Sequence, residues 1–150
     1  MVEIHLEQTI AAPVEKVFDW MTDPANLAAA PLTLNAGWAK GSSAPGAGAV
    51  REVAAIGAWF REEITAYDRP HSYSYLIVRS FPSFKHEGGT LTFTTSEGTV
   101  PGTHIDWLTN YTHPIWAGGR LLEAVTRRLL RSSFLSLFTA CAKDLESHAA

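Results

Sequence analysis

The C-terminal segment constrains the fold most. From Arg120 to Ser147, the apolar residues Leu122, Val125, Leu129, Leu130, Phe134, Leu137, Phe138, Cys141 and Leu145 recur every three or four places. That spacing predicts one long helix with a single apolar stripe. At 1.5 Å per residue it would run about 40 Å. A lone helix of that length cannot cover its own stripe and needs a broad partner.

The residues before it supply one. Val2, Ile4, Leu6 and Ile10 alternate with Glu3, His5, Glu7 and Thr9, the period of a half-buried strand. Pro13 then opens a helix whose Val14, Val17, Phe18 and Met21 share a face. Asp23-Pro24, a cap followed by proline, starts a second short helix to about Ala30. Strands are predicted over Thr33–Trp38, Ala49–Ala55, Ala58–Tyr67, Ser72–Arg79, Gly89–Thr95 and Thr103–Thr112. Residues 39–48 form a Gly/Ser/Pro-rich loop, Ile56-Gly57 a tight hairpin, Asp68-Arg-Pro70 a turn, and residues 80–88 a loop with two phenylalanines. An antiparallel sheet with one wet face needs a helix over its dry face. The expectation is one α+β domain over residues 1–150, ordered β-α-α-β6-α, its sheet wrapped on the long helix.

Composition narrows the function. Charged residues are 18% and apolar ones 46%, with a formal charge of −3. Such a chain is no disordered polyampholyte. It also lacks the basic surplus that nucleic-acid backbones demand. Cys141 is the single cysteine, so no internal disulfide and no CxxC motif are available. The N-terminus has neither a basic nor a continuous apolar region, so no signal peptide is expected. No run approaches the roughly 18 apolar residues of a membrane span. The default expectation is a cytoplasmic protein. Gly46-Ala-Gly48 lacks the third glycine and following helix of a phosphate loop, and the histidines lack HxH or HExxH spacing. Neither cofactor nor metal is expected.

Five Trp, seven Phe and four Tyr are the unusual feature. By strand parity the inward face carries Ala58, Phe60, Glu62 and Ile64; Tyr73, Tyr75 and Ile77; Leu91 and Phe93; and Thr103, Ile105, Trp107, Thr109 and Tyr111. Four amphipathic rings, Tyr73, Tyr75, Trp107 and Tyr111, share that side and suit a small-molecule cavity or an ordinary core. The Ile56-Gly57 hairpin sets Arg51 opposite Glu62, a charged pair on an apolar wall. The pair could anchor a ligand's polar end, Glu62 could act as a base held acidic by Arg51, or the two could simply satisfy each other. The segment from Phe81 to His86 could be a lid, with Phe81 and Phe84 over the entrance. His113, near the start of the long helix, is a candidate base. His104-x-Asp106 falls on the wet face and reads as solvated surface. Arg120, Arg127, Arg128 and Arg131 form a basic helix sector that reads as solvated. Trp59 and Tyr67 point outward and could mark a homodimer contact.

A set of residues spread along the chain resembles the START-like helix-grip (SRPBCC) superfamily, in its polyketide cyclase/dehydrase and lipid-transport branch. They are Ile10-Ala-Ala-Pro13 with Val17-Phe18, Asp23-Pro24, and Gly48 with Arg51. Arg61-Glu62-Glu63-Ile64 with Tyr67-Asp68 and Pro70 follow, then Gly88-Gly89-Thr90, Gly102-Thr103 with Ile105 and Trp107, and Tyr111 with Pro114. The resemblance implies a curved sheet gripping the C-terminal helix around a cavity for a hydrophobic ligand such as a lipid, sterol or polyketide. Leu27-Ala-Ala-Ala30 stands where many relatives carry a large aromatic, which implies a roomier mouth. The expected ligand-binding residues are Arg51, Phe60, Glu62, Tyr73, Tyr75, Phe93, Trp107, Tyr111 and Phe134. The leading reading is a binding or transport protein. The alternatives are a cofactor-free cyclase or dehydratase using Glu62, Tyr75 or His113, and a protein-interaction or regulatory module.

Overall fold

The computed structural model describes residues 2–81, 83, 85–96, 102–112 and 119–147, without the side chains of 119 and 122. Strand β1 (Val2–Ile10) leads into helix α1 (Val14–Thr22) and a 3-10 turn (Pro24–Ala29). Asp23 starts that turn by accepting the Ala25 amide at 3.0 Å. Six strands follow: β2 (Thr33–Trp38), β3 (Val50–Ala55), β4 (Ala58–Asp68), β5 (Ser72–Phe81), β6 (Lys85–Ser96) and β7 (Gly102–Thr112). Helix α2 (Gly119–Ser147) closes the order.

All seven strands form one antiparallel sheet, ordered β1-β7-β6-β5-β4-β3-β2. From β2 to β7 sequential strands pair, β2 and β3 across the loop of residues 39–49 and β3 and β4 across Ile56-Gly57, and β7 returns to pair with β1. The sheet curls around α1 and the C-terminal half of α2 in the helix-grip manner expected. Its concave face buries Ile4, Ile10, Leu91, Phe93 and Ile105 against Val17, Phe18 and Met21 of α1 and Leu137, Phe138 and Cys141 of α2. Phe18 anchors the centre, edge-on to Tyr67, Tyr73 and Phe93 at 5.4, 5.8 and 5.1 Å between centroids.

The hairpin register agrees with expectation: Arg51 faces Glu62, Val53 faces Phe60, and Ala55 faces Ala58. Gly57 takes a φ of +76°, a backbone region closed to most side chains, which is why glycine ends this turn.

Two expectations are corrected, both by β-bulges. A register shift between Ile64 and Ala66 adds one residue to β4 and inverts parity beyond it. Tyr67 therefore turns inward onto Phe18 rather than outward to a second copy of the chain. The second bulge lies between His86 and Gly88, where Gly88 adopts a φ of +132°. Part of the segment expected as a loop over residues 80–88 is strand instead. Ser80 and Phe81 end β5, and residues 85–88 begin β6. Phe81 lies on the surface, 71% exposed, while His86 is buried. Phe84 lies outside the described residues.

Candidate functional site

The Arg51–Glu62 pair sits on the concave wall where β3 and β4 meet. Cross-strand register brings the two Cβ atoms together, and both arginine contacts converge on one carboxylate oxygen. Arg51 Nη2 donates to Glu62 Oε2 at 2.7 Å and Nε donates to the same atom at 3.1 Å. The side chains are 3% and 13% exposed. The remaining nitrogen, Nη1, is buried with no acceptor among the described residues. Burial opposes the guanidinium's charge. Glu62, and next Tyr73, outweigh it and hold the group above its ordinary range.

Two tyrosines flank the guanidinium. Its central carbon lies 5.8 Å from the ring centres of both Tyr73 and Tyr75, within cation–π range. The Tyr73 hydroxyl donates to the Met21 carbonyl at 3.2 Å and so ties β5 to α1. The Tyr75 hydroxyl accepts from Trp107 Nε1 at 3.0 Å. Burial first, and the Glu62 charge next, push that hydroxyl well above the usual phenol range. Tyr75 can lie flat only because its cross-strand partner is Gly89, where a Cβ would overlap the tyrosine ring. Trp107 extends the wall to α2, stacked on Phe134 at 4.2 Å and edge-on to Phe138 at 5.7 Å.

Sequence reasoning missed His86. The β5–β6 ladder runs only from Ser72/Thr92 to Tyr75/Gly89. Past that point the strands part, and His86 bridges the gap. Its ring stacks on Tyr75 at 5.4 Å. Its Nδ1 accepts the Ile77 backbone N–H at 3.0 Å, and its Nε2 lies 2.8 Å from Thr109 Oγ1. An Nδ1 that accepts must carry the lone pair, so the proton belongs on Nε2 and the ring is neutral. Burial, the main influence, holds its pKa below the ordinary value. The Gly88-Gly89 pair was the available signal, since adjacent glycines in a strand mark a bulge or a close approach.

The structure thus joins Arg51, Glu62, Tyr73, Tyr75, Trp107 and Phe134 into one wall, with His86 at its back. Phe93 lies beyond it, stacked on Tyr73 at 6.2 Å. Phe60 is half-buried opposite Val53, and Tyr111 is buried at the β7 end. His113 lies outside the described residues. Two grooves lined by described residues open elsewhere. One, of about 560 Å³, follows a strip of α2 from Arg128 to Lys143. The other, of about 370 Å³, lies beside the parted strands and is lined by Tyr75, Glu87, Gly88, Gly89 and Asn110 among others.

Solved structures share this architecture from end to end. A Thermus thermophilus protein is 21% identical over 99% of this chain and 100% of its own, with a TM-score of 0.77. The protein XoxI from Bacillus cereus is 16% identical over 100% and 99%, with a TM-score of 0.72. A START superfamily protein from Mycobacterium smegmatis is 11% identical over 97% of each chain, with a TM-score of 0.69. No curated protein matches the sequence. The family described as polyketide cyclase/dehydrase and lipid transport matches residues 1–149. The chain therefore belongs to the polyketide cyclase/dehydrase and lipid-transport family, on a START-like helix-grip fold.

Proposed function

We propose that the protein binds a hydrophobic small molecule of lipid, sterol or polyketide type, with Arg51 meeting the molecule's polar end. One observation carries the reading. Arg51 is a buried cation that spends two nitrogens on a single Glu62 oxygen and leaves Nη1 without an acceptor among the described residues. An unmet buried donor costs about 1–3 kcal/mol, and more when charged. A ligand oxygen placed there would recover that cost, while the flanking rings of Tyr73, Tyr75 and Trp107 would take up the apolar body. Family membership gives the reading its context.

Acid–base catalysis has less support. Both nitrogens of His86 are occupied, and the Tyr75 hydroxyl is far from giving up its proton at neutral pH. A site that holds fits these facts better than one that converts.

The test compares cis-parinaric acid with its methyl ester by fluorescence titration. The acid should bind at least about tenfold more tightly, the worth of a charge-assisted hydrogen bond. The double variant Arg51→Gln/Glu62→Gln, which leaves no unpaired buried charge, should erase that preference. Equal affinity for acid and ester in the unaltered protein, or a preference that survives in the variant, would overturn the assignment of Arg51.

A further inference from the structure

We propose that the outer face of the β1–β7 pair carries a binding site for a first-row divalent transition metal, built from His5, Glu7 and Asp106 with His104 as a fourth ligand. Nothing in the ligand-binding reading requires this site. It lies on the opposite, solvent-facing side of the sheet.

The register creates it. Glu7 pairs with Asp106 and Thr9 pairs with His104, so alternate residues of two bonded strands project side by side. His5 Nε2 lies 3.0 and 3.1 Å from the two Asp106 oxygens. One ligand atom each from His5, Glu7 and Asp106 falls within 4.8 Å of the others. His104 Nε2 approaches the same Glu7 carboxylate, 3.2 Å from Oε1. Its other nitrogen, Nδ1, is 3.2 Å from Thr9 Oγ1. That contact turns Nε2 toward the cluster, as hydrogen bonds behind metal-ligating histidines commonly do.

The spacing suits coordination. Bonds of about 2.0–2.1 Å at tetrahedral angles set ligand atoms about 3.3 Å apart. Two imidazole–carboxylate contacts already stand at 3.0–3.2 Å, and the ligand atoms of His5, Glu7 and Asp106 lie within 4.8 Å of one another, so the three converge on one point that His104 reaches through Glu7. The donor set is two imidazoles and two carboxylates. That favours zinc, copper, nickel or cobalt over magnesium or calcium, which prefer oxygen alone. Two carboxylates balance a divalent charge. The nearby cation, Arg131, whose Nη1 is 3.5 Å from the His5 carbonyl oxygen, offsets only part of that. With no metal, the same groups form two histidine–carboxylate pairs, His5–Asp106 and His104–Glu7. A metal ion competes with protons for imidazole nitrogen, so its affinity should rise with pH.

The site would also clamp an edge. β1 ends the sheet, and a shared ion would tie it to β7 through side chains as well as the ladder. Ion binding should then raise the melting temperature by mass action.

The test is calorimetric titration of the untagged protein with Zn²⁺, together with Co²⁺ absorption to report coordination. One ion per chain is expected, with tighter binding at pH 8 than at pH 6 and no competition from excess Mg²⁺. The double variant His5→Ala/His104→Ala should weaken zinc at least about tenfold and abolish its effect on melting. These side chains are partly solvent-exposed, so the variant should keep its fold, which circular dichroism would check. Unchanged affinity in the double variant would assign the zinc to other histidines and overturn the proposal. Absence of saturable binding to the unaltered protein would overturn it equally.

Discussion

His86 shows how one residue carries two duties. Its ring backs the Tyr75 wall, and its Nδ1 replaces a missing backbone acceptor for Ile77. Both duties need the neutral form. Protonation would turn the accepting nitrogen into a donor facing a donor. Burial lowers its pKa in the fold, against the opposing pull of Glu62 and Glu87. Above about pH 6.5 the ring is neutral folded or unfolded and contributes no pH dependence. As pH falls below that value the unfolded chain takes the proton first, so stability declines toward the lower folded pKa. His5 runs the other way. Its hydrogen bond to Asp106 raises its pKa, so its contribution is present below about pH 6.5 and is lost as pH rises through the folded value. An imidazole titration by NMR should place His86 below, and His5 above, an ordinary exposed histidine. A midpoint for His86 at or above that of an exposed histidine would refute the neutral bridge.

The hairpin partners Arg51 and Glu62 were legible from two letters, Ile56-Gly57, because a two-residue turn fixes what faces what. Tyr67 was not legible, because it sits beyond a bulge and one extra residue moves every later side chain to the opposite face. His86 was missed because residues 80–88 read as a loop, whereas β6 begins at Lys85.

At the scale of elements, α2 splits into two halves. Its C-terminal half buries Leu137, Phe138 and Cys141, while Leu121, Val125 and Leu129 of the first half are exposed. The sequence stripe was continuous, yet the sheet covers only part of it. Periodicity reports which residues share a face, not where the neighbouring layer ends. Cys141 reports on the covered half. Burial pushes its thiol up to about 12. Thiolate is the reactive species, so at pH 8 a disulfide reagent should label the folded protein at least about a hundredfold more slowly than the urea-unfolded chain. Comparable rates would mean that this half of α2 detaches readily from the sheet.

For the molecule as a whole, the core is shared by α1, α2 and the β1-β7-β6-β5 half of the sheet. No part closes without the rest. Phe138 meets Trp107, and Trp20 reaches Asp144 through its indole N–H at 3.0 Å, so both the centre and the flank depend on the last turns of α2. Truncation after Ser136 removes Leu137, Phe138 and Cys141 from full burial. Each large apolar loss costs about 2–5 kcal/mol against a total stability of about 5–15 kcal/mol. The truncated chain should show no near-ultraviolet dichroism and no cooperative melting. A truncated chain that still melts sharply would show the sheet to be stable alone.

What the sequence determined by itself was local or periodic: seven strands, the order of helices, the hairpin register, and the rings on the concave side. Alternation and turn chemistry act over a few residues, so they can be read from a few residues. Only the tertiary structure decided where the ladders slip, where β5 and β6 part, and that a histidine fills the gap. A bulge forms when three strands and a helix cannot all keep ideal pairing around one curled core. That compromise is settled among distant segments, and no single segment records it.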